Sequence, residues 1–151
     1  MSTPVSMLAV CLGNICRSPM AEGLLRHHIQ QHGLRAKVDS AGTSNHHQGE
    51  PPDRRAQQEM KRHGIDISSQ RSRPFVHADF ETFDLILVMD QSNLRDVLAM
   101  AQGKDEWVDK VHLILDDEEI PDPYYGGASG FAEVFEMLDR ASEDWVRSLK
   151  G

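Results

Sequence analysis

The sequence has few cysteines, few positive charges and no long apolar run. Its 151 residues include only 2 cysteines, and 16 Lys and Arg stand against 24 Asp and Glu, which gives a formal net charge of −8. This balance argues against a general nucleic-acid binder or a protein held on anionic membranes, because both need clustered basic side chains. No apolar run approaches the roughly 20 residues that span a bilayer, and residues 1–6 lack a basic segment followed by an apolar core. We therefore expect a cytoplasmic protein without membrane insertion.

Both cysteines, Cys11 and Cys16, lie in one short segment. In a reducing compartment such a pair is more often catalytic or redox-active than structural. A disulfide framework is not required, because a chain of this length can bury roughly 70% of the surface that its unfolded form exposes. The composition, 39% hydrophobic and 26% charged, is that of a globular protein, and we expect one domain over residues 1–151.

Apolar strand patterns and amphipathic helix patterns alternate along the chain. Short apolar runs predict strands at 5–10, 84–89 and 111–115, and a brief second strand is predicted at 37–40. Apolar residues at helical spacing predict helices from Pro19 to Gly33, over 53–63, after 84–89 and near the C-terminus. The polar segment between the second strand and second helix is predicted to be a loop near the site. Continuous apolar strands separated by helices indicate an α/β three-layer sandwich, with a central four-stranded parallel sheet and helices on both faces.

The segment between the first strand and the first helix is predicted to bind an anion. It comprises residues 11–18, Cys-Leu-Gly-Asn-Ile-Cys-Arg-Ser, at the sheet edge where ligands bind in such folds. Its backbone amides and the positive end of the helix form an anion cradle, and Gly13 would permit the tight curvature. Arg17 can hold two phosphate oxygens. A Walker-type nucleotide loop is disfavoured, because the Gly-Lys-Ser/Thr element it requires is absent.

Cys11 would face the bound phosphate from the start of this cradle. The same positive field favours a thiolate, which is the nucleophilic form of cysteine. A thiolate in line with a phosphorus atom, with Arg17 and the amides on the other oxygens, predicts a phosphocysteine intermediate that is then hydrolysed. The alternative is that Cys11 is only a buried residue at a strand end.

No cofactor or metal is predicted. The pairs His27-His28 and His46-His47 could suggest a metal, but adjacent helical histidines diverge by about 100° and no third ligand follows at metal spacing.

Motifs along nearly the whole chain resemble one enzyme family. Residues 10–22, Val-Cys-Leu-Gly-Asn-Ile-Cys-Arg-Ser-Pro-Met-Ala-Glu, resemble the signature of the low-molecular-weight protein tyrosine phosphatases, and residues 122–126, Asp-Pro-Tyr-Tyr-Gly, resemble their general-acid loop. Segments 39–43, 63–65 and 88–95 resemble family segments in the expected order. The resemblance implies a bacterial-type member of this family.

This resemblance also implies a role for each candidate residue. Cys11 would attack phosphorus, Arg17 would bind the phosphoryl oxygens, and Asp122 would give a proton to the leaving group. Ser18 would hydrogen-bond the thiolate, although it could be only the cap of the first helix, and spacing alone would make Asp122, between two prolines, a turn residue. The other implied members are the phosphate-loop residues Leu12, Gly13, Asn14, Ile15 and Cys16, the Asn14 partner Ser40, and the pocket-rim residues His46, Tyr124 and Tyr125.

The implied substrate group is phosphotyrosine, because apolar walls favour a flat phenyl phosphate over the smaller phosphoserine. Related protein-arginine phosphatases commonly carry Thr where this chain has Ile15, and arsenate reductases of this fold need cysteines beyond Cys16, of which there are none. A phosphate-binding module without turnover stays an alternative. By resemblance to bacterial members, the partner would be a phosphotyrosine-containing protein such as a bacterial tyrosine autokinase, and the chain a monomer or weak dimer.

Two further expectations come from the resemblance. Cys16 could form a reversible disulfide with Cys11 under oxidant and protect the nucleophile from irreversible oxidation. Many relatives carry a histidine that supports the phosphate loop, whereas residues 68–73 contain none, and His46 stands where animal relatives carry an aromatic rim residue. We therefore expect the loop to be supported differently in this chain.

Overall fold

The fold is a parallel sheet whose strands alternate with helices. A computed structural model describes residues 5–116, 118–124 and 126–150. Within these residues the elements follow in the order β1 (Val5–Cys11), α1 (Arg17–Gln31), β2 (Ala36–Gly42), α2 (Arg54–Arg62), α3 (Ala78–Thr82), β3 (Leu85–Val88), α4 (Gln91–Ala101), α5 (Asp105–Val108), β4 (Val111–Leu113) and α6 (Ala128–Leu149).

The four strands form one parallel sheet in the order β2-β1-β3-β4. β1 is central, with Cys11 opposite Gly42 of β2 and Val10 opposite Val88 of β3. The chain runs from β1 outward to β2 and then crosses back over β1 to β3. The direction of winding therefore changes at β1, and the carboxyl end of a strand at such a switch point is where open α/β sheets bind ligands.

Two apolar cores cover the two faces of the sheet. On one face Met7 and Ala9 of β1 pack with buried residues of α1, α2 and α6. On the other face Leu8 and Val10 pack with Phe80 and with residues of α4 and α5. Alternate β1 side chains thus enter opposite cores, and the predicted three-layer sandwich is confirmed. No helix in the described parts of the chain combines the length and apolar character needed to cross a bilayer.

The first helix begins earlier than the sequence predicts. We expected Ser18 to cap a helix that starts at Pro19, but α1 begins at Arg17, and the Cys16 side chain at the capping position makes no capping hydrogen bond. Ser18 lies inside the first turn, where its hydroxyl is free to bind other parts of the site. The short helices α3 and α5 were not predicted, because 5 and 4 residues are too few to show a helical period.

Candidate active site

The segment 11–18 forms a loop between the carboxyl end of β1 and the first turn of α1. Its pocket has a volume of about 110 Å³. The first turn of α1 contains no acidic residue and receives no side-chain cap, so its amides remain available to an anion. The pocket is lined by Cys11, Leu12, Gly13, Ile15, Cys16, Arg17, Ser44, His46, His47, Asp122 and Tyr124.

The Cys11 side chain lies at the base of this pocket and is 3% exposed. Its Sγ is 3.1 Å from the Ser18 hydroxyl and accepts a hydrogen bond from the backbone N–H of Asn14 at 3.3 Å. When the sulfur is a thiolate, the Ser18 hydroxyl must be the donor, so the sulfur then receives two hydrogen bonds. Ser18 therefore contacts the sulfur instead of capping the helix.

Asn14 determines the shape of the loop. It is the left-handed residue, with φ 55°, whereas Gly13, which we expected to supply the curvature, has no positive φ. The Asn14 amide nitrogen donates to the hydroxyls of Ser18 at 2.8 Å and Ser40 at 3.0 Å. Its carbonyl oxygen accepts the Arg73 N–H at 3.0 Å. The predicted contact between Asn14 and Ser40 is therefore present.

The segment near residue 72 supports the loop without a histidine. Besides the bond from Arg73 to Asn14, the Ser72 hydroxyl donates to the carbonyl of Gly13 at 3.0 Å.

Close packing also limits the size of the residues at two positions. A Cβ at Gly42 would lie 2.8 Å from the Leu12 carbonyl oxygen, and one at Gly13 would lie 3.1 Å from the His47 ring.

Arg17 is a buried cation held by polar groups from two neighbouring loops. One guanidinium nitrogen, Nη1, donates to the Asp90 carboxylate at 2.7 Å and to the Ile120 carbonyl at 2.9 Å. Burial acts to lower the pKa of Arg17, but the neighbouring Cys11 and Asp90 outweigh it and raise that pKa above its usual value. The guanidinium therefore stays charged at any physiological pH.

Asp90 is a site residue that the sequence analysis missed. It follows β3 directly at the carboxyl edge of the sheet and caps α4 by accepting the Asn93 N–H at 2.8 Å. Its position after a buried apolar strand was the available signal, but helix capping alone would explain an aspartate there.

Asp122 lies between β4 and α6, across the pocket from the loop. Its side chain is 34% exposed, and one carboxylate oxygen is 3.7 Å from Arg17 Nη2. The other oxygen accepts the Tyr124 N–H at 3.0 Å, which aligns the turn that follows. The structure thus brings Cys11, Arg17 and Asp122 to one pocket, although 105 residues separate Arg17 from Asp122 in the sequence.

The rim of the pocket is partly apolar. Leu12 and Tyr124 both line the pocket and are 49% and 36% exposed, so they present apolar surface there. His46 lines the pocket as expected, and so does His47, which was not expected and whose ring centroid is 6.2 Å from that of Tyr124. The predicted rim residue Tyr125 lies outside the described residues.

Cys16 lines the same pocket and is also free and buried. Burial, together with the negative charges of Asp53 and Cys11, raises the pKa of its thiol far above the usual range. Cys16 therefore carries a proton at neutral pH, and the protonated thiol is not the nucleophilic form of cysteine.

Glu22, a second residue without a predicted role, extends the hydrogen-bond network behind the loop. Its carboxylate accepts the Ser40 hydroxyl at 2.7 Å and pairs with Arg26. Glu22 is 3% exposed, and desolvation by burial raises its pKa above the ordinary value. A chain of contacts therefore runs from Glu22 through Ser40, Asn14 and Ser18 to Cys11.

No cluster suited to a metal is present among the described residues. No three or more His, Cys, Asp or Glu side chains in this part of the chain come together to hold an ion.

A comparison with family models matches residues 6–151 to the low molecular weight phosphotyrosine protein phosphatases. The chain belongs to this family. The Synechocystis protein slr0328, whose name places it among the low molecular weight protein-tyrosine-phosphatases, is 45% identical over an alignment of 153 positions that covers 96% of each chain. The resemblance seen in the sequence and the enzyme class it implies, protein-tyrosine phosphatase, are confirmed.

Solved structures of tyrosine phosphatases share the fold. A protein tyrosine phosphatase from Entamoeba histolytica, with Hepes in the active site, has a TM-score of 0.91 and 38% identity, covering 97% of both chains. Wzb from Vibrio vulnificus, in complex with benzylphosphonate, has a TM-score of 0.87 and 28% identity, covering 97% of this chain and 99% of its own.

A charge-removing substitution at Asp90 should weaken phosphate binding without unfolding the phosphatase. Asn caps helices about as well as Asp, so Asp90→Asn keeps the cap of α4 and loses the ionic partner of Arg17. A charged hydrogen bond contributes about 1.5–3 kcal/mol, so we expect kcat/KM for an aryl phosphate to fall by roughly 10- to 100-fold with little change in Tm. Asp90→Ala should lower the Tm as well. An unchanged kcat/KM in Asp90→Asn would show that Arg17 does not depend on this carboxylate.

Glu22→Gln should change the pH dependence of stability. The raised folded-state pKa means that the folded protein binds more protons than the unfolded chain above the ordinary value of 4.5. Stability contributed by Glu22 therefore falls as pH rises through that window. Because glutamine does not titrate, the free energy of unfolding of Glu22→Gln, measured with urea from about pH 4 to 8, should rise relative to wild type with increasing pH. A difference that is constant with pH would contradict this; Glu133→Gln on the surface of α6 is the control.

Proposed function

We propose that this phosphatase hydrolyses phosphotyrosine and aryl phosphate monoesters through a phosphocysteine intermediate on Cys11, with Asp122 as general acid. The observation that carries the proposal is the shared pocket of Cys11, Arg17 and Asp122 at the positive end of α1. A nucleophile, a phosphate-binding cation and a carboxyl group are the parts that metal-independent phosphoryl transfer requires.

Substrate binding is assigned to the loop. The phosphate oxygens would replace water at the free amides of the first turn of α1 and at Arg17, whose Nη1 is already held by Asp90 and Ile120. Because these donors are fixed before the substrate arrives, little reorganisation is needed when charge moves onto the oxygens in the transition state.

In the first chemical step the Cys11 thiolate attacks phosphorus. The S–P bond forms while the bond between phosphorus and the aryl oxygen breaks, and Asp122 gives its proton to that oxygen. The Ser18 hydroxyl, 3.1 Å from Cys11 Sγ, would stabilise the thiolate both before the attack and when sulfur leaves.

In the second step a water molecule attacks phosphorus from the side that the aryl group has left. Asp122, now a carboxylate, accepts a proton from the water, and the S–P bond breaks to give phosphate and the Cys11 thiolate. The same carboxyl group thus serves as acid and then as base, which its position opposite the phosphate loop permits.

The rim supports an aryl substrate. Leu12 and Tyr124 present apolar surface at the mouth of the pocket, where a flat ring can pack. Benzylphosphonate, which occupies the Vibrio vulnificus relative, joins an aromatic ring to a tetrahedral anion, and this is the ligand shape that the pocket here would accept. The natural substrate we propose is a phosphotyrosine-containing protein, with a bacterial tyrosine autokinase as the candidate.

Reversible oxidation is a further part of the proposal. Cys11 and Cys16 are both free and both line the pocket, and the protonated Cys16 thiol would not interfere with turnover. A peroxide would oxidise the Cys11 thiolate to a sulfenic acid, and the Cys16 sulfur would displace water from it to form the disulfide. A thiol reductant would restore both cysteines.

Hydrolysis of p-nitrophenyl phosphate in the presence of EDTA tests the nucleophile and the acid. We expect turnover in wild type and none in Cys11→Ser, because the hydroxyl is a far weaker nucleophile than a thiolate. Asp122→Ala should lower kcat/KM by about 10²–10⁴-fold. Trapping with methanol should give the same ratio of methyl phosphate to phosphate for different aryl substrates, because all pass through one phosphocysteine. Activity in Cys11→Ser, or an inactive wild type, would refute the assignment.

Mild peroxide treatment followed by peptide mass spectrometry tests the oxidation. We expect a disulfide between Cys11 and Cys16, loss of activity, and recovery with dithiothreitol. Cys16→Ser should be inactivated without recovery, because its Cys11 continues to sulfinic acid. Inactivated wild type without the disulfide would show that Cys16 does not protect the nucleophile.

A further inference from the structure

Arg55 lies outside the lining of the pocket but contacts the segment that carries Asp122. It is the second residue of α2 and its side chain is 36% exposed. Its guanidinium donates to the backbone carbonyl of Tyr124 through Nη2 and to that of Gly126 through Nη1, both at 2.9 Å. These two carbonyls belong to the turn directly after Asp122.

Asp53 holds the same guanidinium from the other side. Its carboxylate accepts Arg55 Nε and Nη2, each at 3.1 Å, and the Arg55 backbone N–H at 2.8 Å. The Arg55 guanidinium carbon also lies 4.7 Å from the ring centroid of Phe131 on α6, within the range of a cation–π contact. The side chain is therefore fixed in direction despite its partial exposure.

Asp53 is itself bonded to the phosphate loop. Its backbone N–H donates to the carbonyl of Ile15 at 2.7 Å. A continuous set of hydrogen bonds thus leads from Ile15 in the phosphate loop through Asp53 and Arg55 to the carbonyls of Tyr124 and Gly126.

The segment that carries Asp122 is also held at its upstream end. The Ile120 N–H donates to the Met89 carbonyl at 2.8 Å, and the Ile120 carbonyl accepts from Arg17. Arg55 acts at the downstream end. With Asp122 between the two attachments and its carboxylate bonded to the Tyr124 N–H, a movement of the downstream turn would move the carboxyl group.

We propose that Arg55 is a positioning residue that holds the Asp122 carboxyl group at the leaving-group oxygen by fixing the backbone at Tyr124 and Gly126 to the phosphate loop. Arg55 does not line the pocket, so its role would be exercised through Asp122 and not on the substrate directly. The proposal rests on the function proposed for Asp122 above. Only a planar fork with donors in several directions can serve both carbonyls and Asp53 at once, so lysine should not replace arginine.

The dependence of kcat/KM on the leaving group tests this role. This quantity covers the steps through formation of the phosphoenzyme, where the proton is given, and phenyl phosphate needs that proton more than p-nitrophenyl phosphate does, because phenolate is the poorer leaving group. We expect Arg55→Ala to lower kcat/KM roughly 10-fold or more for phenyl phosphate and clearly less for p-nitrophenyl phosphate. An equal loss for both substrates would indicate a general structural effect and would overturn the proposal.

A double-mutant cycle with Asp122→Ala gives the second test. If Arg55 acts through Asp122, removing Arg55 from a protein that already lacks the carboxyl group should cost little or no further kcat/KM. If the loss of kcat/KM in the double variant equals the product of the losses in the two single variants, Arg55 acts independently of Asp122 and the proposal is overturned. If Arg55→Ala does not fold, Arg55→Gln is used in the same cycle.

Two further variants complete the design. Arg54→Ala removes the neighbouring exposed arginine of α2, for which no contact to the turn is seen among the described residues, and should keep the wild-type leaving-group dependence. Arg55→Lys keeps the positive charge but not the planar guanidinium. If this variant has the wild-type kcat/KM for both substrates, the charge alone is sufficient and the planar guanidinium is not required. If Asp122→Ala keeps the wild-type kcat/KM, the proposed role of Asp122 as general acid is refuted. If Asp122→Ala has a reduced kcat/KM but Arg55→Ala does not, only the role of Arg55 is refuted.

Discussion

The phosphate loop depends on the hydrogen bonds of one buried asparagine. A left-handed non-glycine residue costs of order 1–3 kcal/mol, and asparagine is at the low end because it tolerates that conformation. Against this cost, the Asn14 side chain makes two buried hydrogen bonds, to Ser18 and Ser40, and a partly buried one with Arg73, each contributing about 0.5–1.5 kcal/mol. Together the three bonds offset this cost, and the loss of any one partner would reduce the margin that favours the observed loop. The strand pairing of Cys11 with Gly42 helps to keep the partners in place.

A protein with a net charge of −8 can still bind a phosphate because the charges are arranged locally. The loop contributes amides without acidic neighbours in the first turn of α1, and Arg17 is kept charged by partners that occupy one of its terminal nitrogens. Two negative groups near the pocket, Asp90 and Asp122, lie 2.7 and 3.7 Å from the Arg17 guanidinium, which offsets their charge. Local geometry, not the total charge, therefore decides which ions the pocket accepts.

Most of the fold and the centre of the site could be predicted from the sequence. All four strands were predicted, three of them from apolar runs, and the order of strand, loop and helix placed Cys11 and Arg17 at the carboxyl edge of the sheet. The predicted start of α1 was wrong, because a serine before a proline matches the pattern of a helix cap even when, as here, the helix already begins at Arg17. Asp90, Glu22 and Arg55 were missed because their partners lie 73, 18 and about 70 residues away in sequence. Contacts of that range follow from the packing of elements and not from local pattern.

These long-range contacts explain why the motif alone would not be sufficient for catalysis. The proposed nucleophile Cys11 and the cation Arg17 come from one segment, but the Asp122 carboxyl group comes from another, and nothing within residues 11–18 fixes the distance between them. Arg17 reaches across to Ile120 and Asp90, while Asp53 and Arg55 connect the opposite side of the loop to the turn after Asp122. Because hydrogen bonds hold the backbone before and after Asp122, its carboxyl group is restricted in position even though the side chain is 34% exposed. A solvent-exposed acid can therefore be positioned as well as a buried one, provided that the backbone on both sides of it is held.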